Sequence, residues 1–260
     1  MKISVVTICY NNASEIRKTI ESVVNQTYKD LEYIIVDGGS KDDSLPIINE
    51  YRDRISTIIS EPDKGIYDAL NKGVRNATGD VVGFIHAGDL LFDNEVIGKI
   101  AKFFSENDVD VSYGGSQTIT EEGKVVRMNP GLKRPYDWAI KTGWMPSHMS
   151  MYCKRELFEK YGYYRLDMPV AGDYEWFLRY FYKHKNELKI KLLDEYILYF
   201  SLGGVSSQDG IKKLGSKQKK MLDDCWLVNG LKPLPILVYL RPLWTIRIIL
   251  KCKLNHLFKR

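Results

Sequence analysis

Four carboxylates stand where this 260-residue sequence could do chemistry. Asp37 in YIIVDGGS, Asp63 in the segment Glu61-Pro62-Asp63-Lys64 and Asp89 in FIHAGDLL each follow a short apolar run, and Asp173 in AGDYEWFLRYFYKH opens a run with helical spacing. A carboxylate can accept from the N–H of a base or from ribose hydroxyls. It can also hold a divalent cation that in turn holds phosphates. The oxygen-only surroundings of Asp89 suit magnesium or manganese, because neither His86 nor any cysteine completes a zinc set at the right spacing. Each acid also has a plain structural reading: Asp37 as a turn acid before Gly38-Gly39, Asp89 as a capping or turn residue, Asp173 as an acid favoured in a first helical turn by the dipole. His86 and His148 read as packed histidines. Two common nucleotide devices are missing from the text, since CYNNAS after the first apolar run is not GxGxxG and no GxxxxGK[ST] occurs.

The elements that must position these acids are legible in the apolar periodicity. ISVVTI (3–8) is a continuous rather than alternating run, as expected of a parallel strand covered on both faces. Asn12 with Glu15 three residues on predicts a capped helix start, and Ile16, Ile20, Val23 and Val24 keep helical spacing. YIIVD and STIIS predict strands; SLPIINEYRDR, IYDALNKGVRNA and NEVIGKIAKFF predict helices; the apolar run through VVGFIH predicts a strand that carries Asp89 to its end. Strands alternating with helices mean βαβ units and a parallel sheet, whose ligands bind beyond the carboxyl ends of the strands. Asp37, Asp63 and Asp89 then share one rim.

The second half differs. VDVSYGG predicts another strand, SQTITEEGKVVRM a hairpin turning at Glu122-Gly123, and 130–147 an irregular wall rich in tryptophan and proline. Residues 153–162 predict a short helix ending at Gly162, and Asp173 begins the next.

Composition narrows the class. With 44% hydrophobic residues the chain can bury a large core. The net charge of +5 is unevenly placed: after Asp224 no acid occurs, while Lys232, Arg241, Arg247, Lys251, Lys253, Lys259 and Arg260 follow, leaving 31 basic and 33 acidic residues in 1–224. That split argues against a nucleic-acid protein with a wholly basic face and points to a basic terminal segment that meets an anionic surface. Cys9, Cys153, Cys225 and Cys252 are too scattered for a CxxC motif, which predicts a reduced, cytosolic compartment. MKISVVTICYNN reads as a strand rather than a signal peptide, and no stretch reaches the ~18 apolar residues of a membrane span.

Five segments taken together, SVVTICYNN, IIVDGGSKDDS, DKGIYDALNKGVRNATGD, FIHAGDLL, and GDYEWFLR followed by LGGVSS, resemble the family-two inverting glycosyltransferases of the GT-A fold over residues 3 to about 207. DKGIYDALNKG is similar to the subset that builds bacterial surface polysaccharides. The resemblance implies a Rossmann-like α/β fold with a mostly parallel central sheet flanked by helices. It implies a catalytic unit over 1–207, with a nucleotide-sugar half (1–115) and an acceptor half (116–207), and a helical basic segment over 208–260. It further implies that Thr7, Cys9, Tyr10, Asn11 and Asp37 lie where the uracil and ribose of a UDP-sugar are held, that Asp63 is the next nucleotide contact, and that Asp68, Asn71 and Lys72 flank the diphosphate and donor sugar. Asp89 matches the last acid of the family's DxD-like motif, which binds Mn2+ or Mg2+ against the diphosphate. The preceding residue is Gly88, so the acid that often touches ribose is missing here. Asp173 matches the general base, preferred over Glu175, which two positions along a helix points about 200° away. His148 and Glu175 are placed on the acceptor side.

The chemistry implied is displacement of UDP from an anomeric carbon. The cation stabilises the leaving diphosphate, and one carboxylate takes the acceptor hydroxyl's proton. The implied acceptor is a polyprenyl-linked saccharide at the inner face of the plasma membrane. On a helix, Leu243, Ile246, Leu250, Leu254 and Leu257 form one stripe of the tail, with Ile248 and Ile249 off it. The tail suits either attachment to anionic lipid or packing on the protein or in a homodimer. A nucleotidyltransferase, which would need a glycine-rich basic loop near CYNNASE, and a non-catalytic sugar-binding scaffold are the competing readings.

Overall fold

The computed structural model describes residues 1–120, 122–133, 137–141, 144–201 and 215–232. The segment LGGVSS and the apolar, basic tail from 233 onward lie outside the described residues, so the expectations placed on them stay as expectations.

Every residue of the first strand, β1 (Ile3–Cys9), is buried, as its unbroken apolar run requires. It pairs in parallel with β2 (Leu31–Asp37) on one side and β4 (Val81–His86) on the other, and β3 (Thr57–Ser60) joins β2 in parallel. The helices α1 (Ala13–Val24), α2 (Ser44–Glu50), α3 (Ile66–Asn76) and α4 (Val96–Glu106) alternate with these strands. Helix α1 turns Ile16, Ile20 and Val23 fully into the core, each worth about 1.5–3 kcal/mol of burial.

Beyond β4 the sheet changes direction. The order is β3-β2-β1-β4-β8-β6-β9-β5, with β7 (Val125–Asn129) hairpinned on β6 (Val111–Ile119). β8 (Met151–Lys154) is antiparallel to both β4 and β6, β9 (Ile190–Ser201) is parallel to β6, and β5 (Leu90–Leu91) is antiparallel to β9. Neither β8 nor β9 announces itself in the sequence, because each gains its strand state from neighbours distant in the chain. Four further helices complete the described fold: α5 (Asp137–Lys141), α6 (Glu156–Tyr161), α7 (Gly172–Leu178), which widens into a π-helical turn over Arg179–Lys183, and α8 (Gly215–Val228). Helix α6 ends at Gly162 with φ +94°, as expected of a left-handed helix stop.

One local expectation is corrected. Asn12 precedes α1, but its side chain makes no cap; its Nδ2 donates instead to the carbonyl of Ala87 at 3.0 Å, tying the starts of two rim loops together. The strand VVGFIH ends at His86, as expected, and Asp89 follows it in a turn. Gly88 takes φ +106°, a backbone that turns the chain out of the sheet, and Asp89 N–H donates back to the His86 carbonyl at 3.0 Å before the short β5 resumes.

Candidate active site

Because β3, β2, β1 and β4 are adjacent and parallel, their carboxyl ends line one edge. That edge carries Tyr10 and Asn11, Asp37 and Gly38, the 61–64 loop, and the His86–Asp89 turn. Tyr10 is 64% exposed, an aromatic face left open beside Gly38, where an added Cβ would fall 2.8 Å from Asp63 Oδ2 and 3.3 Å from the Tyr10 ring. Asp63 is half-buried and is ion-paired to Lys72 at 2.6 Å; burial nevertheless leaves its carboxyl above the ordinary range, with the lysine opposing. Lys72 also holds Glu61 at 2.8 Å and Asp68 at 3.7 Å, so three acids share one cation. Asp68 in addition accepts from Lys64 N–H at 3.0 Å, closing the 61–64 loop onto the first turn of α3.

Asp89 is only 5% exposed and has no cation beside it among the described residues; burial pushes its carboxyl up to about 7, opposed by the backbone N–H of Ser201 on Oδ1 at 3.3 Å. Thr19 of α1 fixes the turn from below, its hydroxyl donating to the Asp89 carbonyl at 2.9 Å and accepting from Gly88 N–H at 2.9 Å. No group of three His, Cys, Asp or Glu able to hold an ion occurs among the described residues. A single carboxylate whose second oxygen takes no bond from the described residues nevertheless fits a magnesium-like ion, which keeps waters and takes its other ligands from substrate phosphates. At Gly88, with φ +106°, any side chain would be strained, although the space beside it is open.

Asp173 occupies the first turn of α7. Its Oδ1 accepts from the backbone N–H of Tyr174 at 2.8 Å and from the hydroxyl of Tyr67 at 3.1 Å, while Oδ2 takes no hydrogen bond from the described residues. Burial raises its pKa, and the two donors pull it back only in part. His86 and His148 lie alongside, ring centroids 6.4 Å apart, both held neutral down to about pH 3 by burial. His148 stacks on Phe84 and bonds Tyr164 Oη through Nε2 at 2.7 Å, the packed role expected of it rather than an acceptor contact. The shielded Nε2 of His86 has no partner among the described residues.

Several expected contacts turn out to be structural. Thr7 is buried at mid-sheet with its hydroxyl against Tyr33 Oη at 3.0 Å, and Cys9 is buried with its thiol pushed up to about 11, so both side chains are packed inside the sheet. Asn11, exposed and left-handed at φ +47°, uses its Oδ1 to accept from Lys41 N–H at 2.7 Å. Asp37 is fully buried; its oxygens accept from the hydroxyls of Ser40 and, at 2.7 Å, Ser60, so it shapes the 38–40 loop, and touching a ligand would require one serine to let go. Asn71 does not face the donor side: it brackets the backbone of Tyr164 with bonds of 2.9 and 3.0 Å. Glu175, 2% exposed, is ion-paired with Arg179 at 2.8 Å and bonded by Asn229 at 3.1 Å, which withdraws it from the acceptor side. Sequence reasoning missed Tyr67 and Ser201. For Tyr67 the signal was its place one turn before Asn71; for Ser201, which meets Asp89 only through tertiary pairing, there was none.

A Rossmann-like sheet whose carboxyl edge carries an open aromatic, a cation-free buried acid and a helix-borne carboxylate is the GT-A arrangement of nucleotide-sugar enzymes. The chain matches the family described as Glycosyl transferase family 2 over residues 4–162, belongs to that family, and is a glycosyltransferase. It is 30% identical over 180 residues, 68% of either chain, to an uncharacterized glycosyltransferase of Mycobacterium tuberculosis. It is also 30% identical over 186 residues, 68% of this chain and 69% of the other, to a PGL/p-HBAD biosynthesis glycosyltransferase of Mycobacterium bovis. Among solved structures it shares the fold of S. aureus TarS 1-349 in complex with UDP-GlcNAc (TM-score 0.64, 18% identity, 87% of this chain and 66% of that one). It likewise shares that of the mannosyltransferase PcManGT from Pyrobaculum calidifontis in complex with GDP-Man and Mn2+ (TM-score 0.62, 18% identity, 87% and 63%).

Proposed function

We propose that this glycosyltransferase inverts: it moves a sugar from a UDP-sugar to a hydroxyl of a lipid-linked saccharide in the synthesis of a surface glycan, with Asp173 as general base. The observation that carries this reading is the state of Asp173. It is a single carboxylate at a helix start that, among the described residues, has no cation beside it, with one oxygen taking two donors and the other bonded by no other residue. A group whose pKa is lifted by burial and whose second oxygen is available is suited to take a hydroxyl proton. The base of the nucleotide would lie on the open face of Tyr10, with Asp63 at its polar edge; Asp37 would hold the loop beneath.

Asp89 is the residue that would hold a divalent cation, completed by diphosphate oxygens and water. Its unpaired, raised carboxyl is the local reason a cation is wanted there. When bound, such an ion supplies charge stabilisation to the departing diphosphate. What this chain adds is placement: Thr19 and Ser201 aim Asp89, and Tyr67 and the α7 backbone aim Asp173. A UDP-linked donor and a surface-glycan product are supported by the UDP-GlcNAc bound to a fold neighbour and by the biosynthetic name of a 30%-identical relative. The membrane-facing role of the tail belongs to the same reading: a cytoplasmic enzyme on the inner leaflet would meet a lipid-linked acceptor there. Among the described residues no helix is long and apolar enough to cross a membrane.

The test is calorimetric titration of UDP-, GDP- and dTDP-sugars, with and without manganese, into the wild type and Asp89→Ala. The expected result is tight binding of one UDP-sugar that needs both metal and Asp89. Metal-independent binding without turnover on any acceptor would instead favour a sugar-binding scaffold.

A further inference from the structure

Taking Asp173 as the base, as proposed above, we infer that Tyr67 is its positioning residue: α3 reaches across the cleft, fills one oxygen of Asp173 and leaves the other as the proton-accepting atom.

Tyr67 is the second residue of α3, 7% exposed, and its hydroxyl donates to Asp173 Oδ1 across 106 residues of chain. The same oxygen already accepts from Tyr174 N–H. Among the described residues two donors from other residues meet Oδ1 and none meets Oδ2, which makes the two oxygens inequivalent, and a hydroxyl approaching Asp173 meets Oδ2.

The ring is placed as deliberately as the hydroxyl. It stacks on Tyr164 with centroids 5.8 Å apart and planes at 24°. An added Cβ on Gly172, the residue before Asp173, would fall 2.8 to 3.0 Å from three Tyr67 ring atoms, so α7 begins bare where the ring passes. One turn along α3, Asn71 clamps the backbone of Tyr164 from both sides. Tyr67 and Asn71 thus join α3 to the segment leading into the base. The neighbouring face of the same helix carries Asp68 and Lys72, which tie down the 61–64 loop. One helix therefore joins the acids of the 61–64 loop and Asp173.

Tyr67 keeps its proton throughout. Burial foremost, and then the charge of Asp173, drive its phenol far above the usual range. The proton taken from an acceptor goes to Oδ2 and leaves from there to solvent. Other groups facing Asp173 are His86 of β4, Tyr164 before α7 and Cys225 of α8. Burial keeps all three neutral at physiological pH: His86 is held down to about 3, Tyr164 is raised, and the Cys225 thiol is pushed up to about 12. Among the described residues that leaves Tyr67 as the one side chain whose hydroxyl donates to the carboxylate.

The experiment is a carbon-13 NMR titration of the full chain labelled at aspartate carboxyls, with Asp173→Asn assigning the signal. Tyr67→Phe keeps the ring, its stack and its fit against Gly172, and deletes only the donor. Removing a hydrogen bond to the charged form should raise the Asp173 pKa by about half to one unit. Replacing Tyr67 with 3-fluorotyrosine, a stronger donor of the same shape, should lower it, and this second variant decides the matter if Tyr67→Phe does not fold. An Asp173 titration unchanged in a folded variant would overturn the inference. Failure of the parent reading would look different: Asp173→Asn would keep transfer, whatever the Tyr67 variants do to the titration.

Discussion

Ser201 donates its backbone N–H to Asp89 Oδ1 at 3.3 Å from 112 residues away, so the last residue of β9 helps hold the acid that closes the turn after β4. The bond does not compensate for burial, and the Asp89 carboxyl is lifted to about 7. Between the ordinary value of 3.8 and about 7 the folded chain binds a proton that the unfolded chain has released, so stability falls as pH rises through that window. Asp89→Asn should therefore melt above the wild type at pH 8 without metal, by about 1–3 kcal/mol, with the gap closing toward pH 4. Manganese should raise the melting temperature of the wild type alone. Calorimetry in both buffers checks this, and a wild type more stable than the variant at pH 8 would show that Asp89 is otherwise compensated.

Replacing Asp173 with asparagine keeps size and the Tyr174 bond but removes the proton acceptor. Transfer should drop by about 10²–10⁴-fold, while donor affinity by calorimetry stays within a few-fold. Near-normal transfer would remove Asp173 from the base role.

Because burial raises Asp173, the acid limb of the rate profile should lie above the usual carboxylate range. Activity should fall as pH drops through that limb and protons occupy Oδ2. Initial rates measured across pH 4 to 8 would show it; a flat profile there would contradict the assignment.

Arg179 is the ion-pair partner of Glu175 among the described residues, while its other amino group caps the carbonyl of Tyr161 at 2.7 Å. Arg179→Met should cost about 3–5 kcal/mol in urea unfolding by leaving a buried carboxylate uncompensated. Donor binding by the protein that remains folded should be unaltered, which separates this pair from the site.

If the tail meets anionic lipid, changing Arg247, Lys251 and Lys253 to glutamine in the full chain should weaken flotation with anionic vesicles by roughly 100-fold, at about 1 kcal/mol per charge. Equal recovery of variant and wild type would place the tail on protein instead.

Much of this was legible in the sequence because it is local. Unbroken apolar runs made β1, β2 and β4, helical spacing made α1, α3 and α4, and the acids after those runs fell on the sheet's carboxyl edge. Asp173 was identified at a helix start with Glu175 turned away, because two residues of helix always separate faces.

What the sequence determined by itself was the alternation of elements, the rim and the acids on it, since periodicity depends on near neighbours only. Tertiary structure decided which of those acids stay without a cation partner and which are spent. Asp37 is consumed by Ser40 and Ser60, Glu175 by Arg179, and Asn71 by Tyr164, while among the described residues Asp89 and Asp173 each keep one oxygen that no other residue bonds. The partners that make the difference come from up to 112 residues away. The burial that shifts a carboxyl depends on everything packed around it, and neither can be read from spacing along the chain.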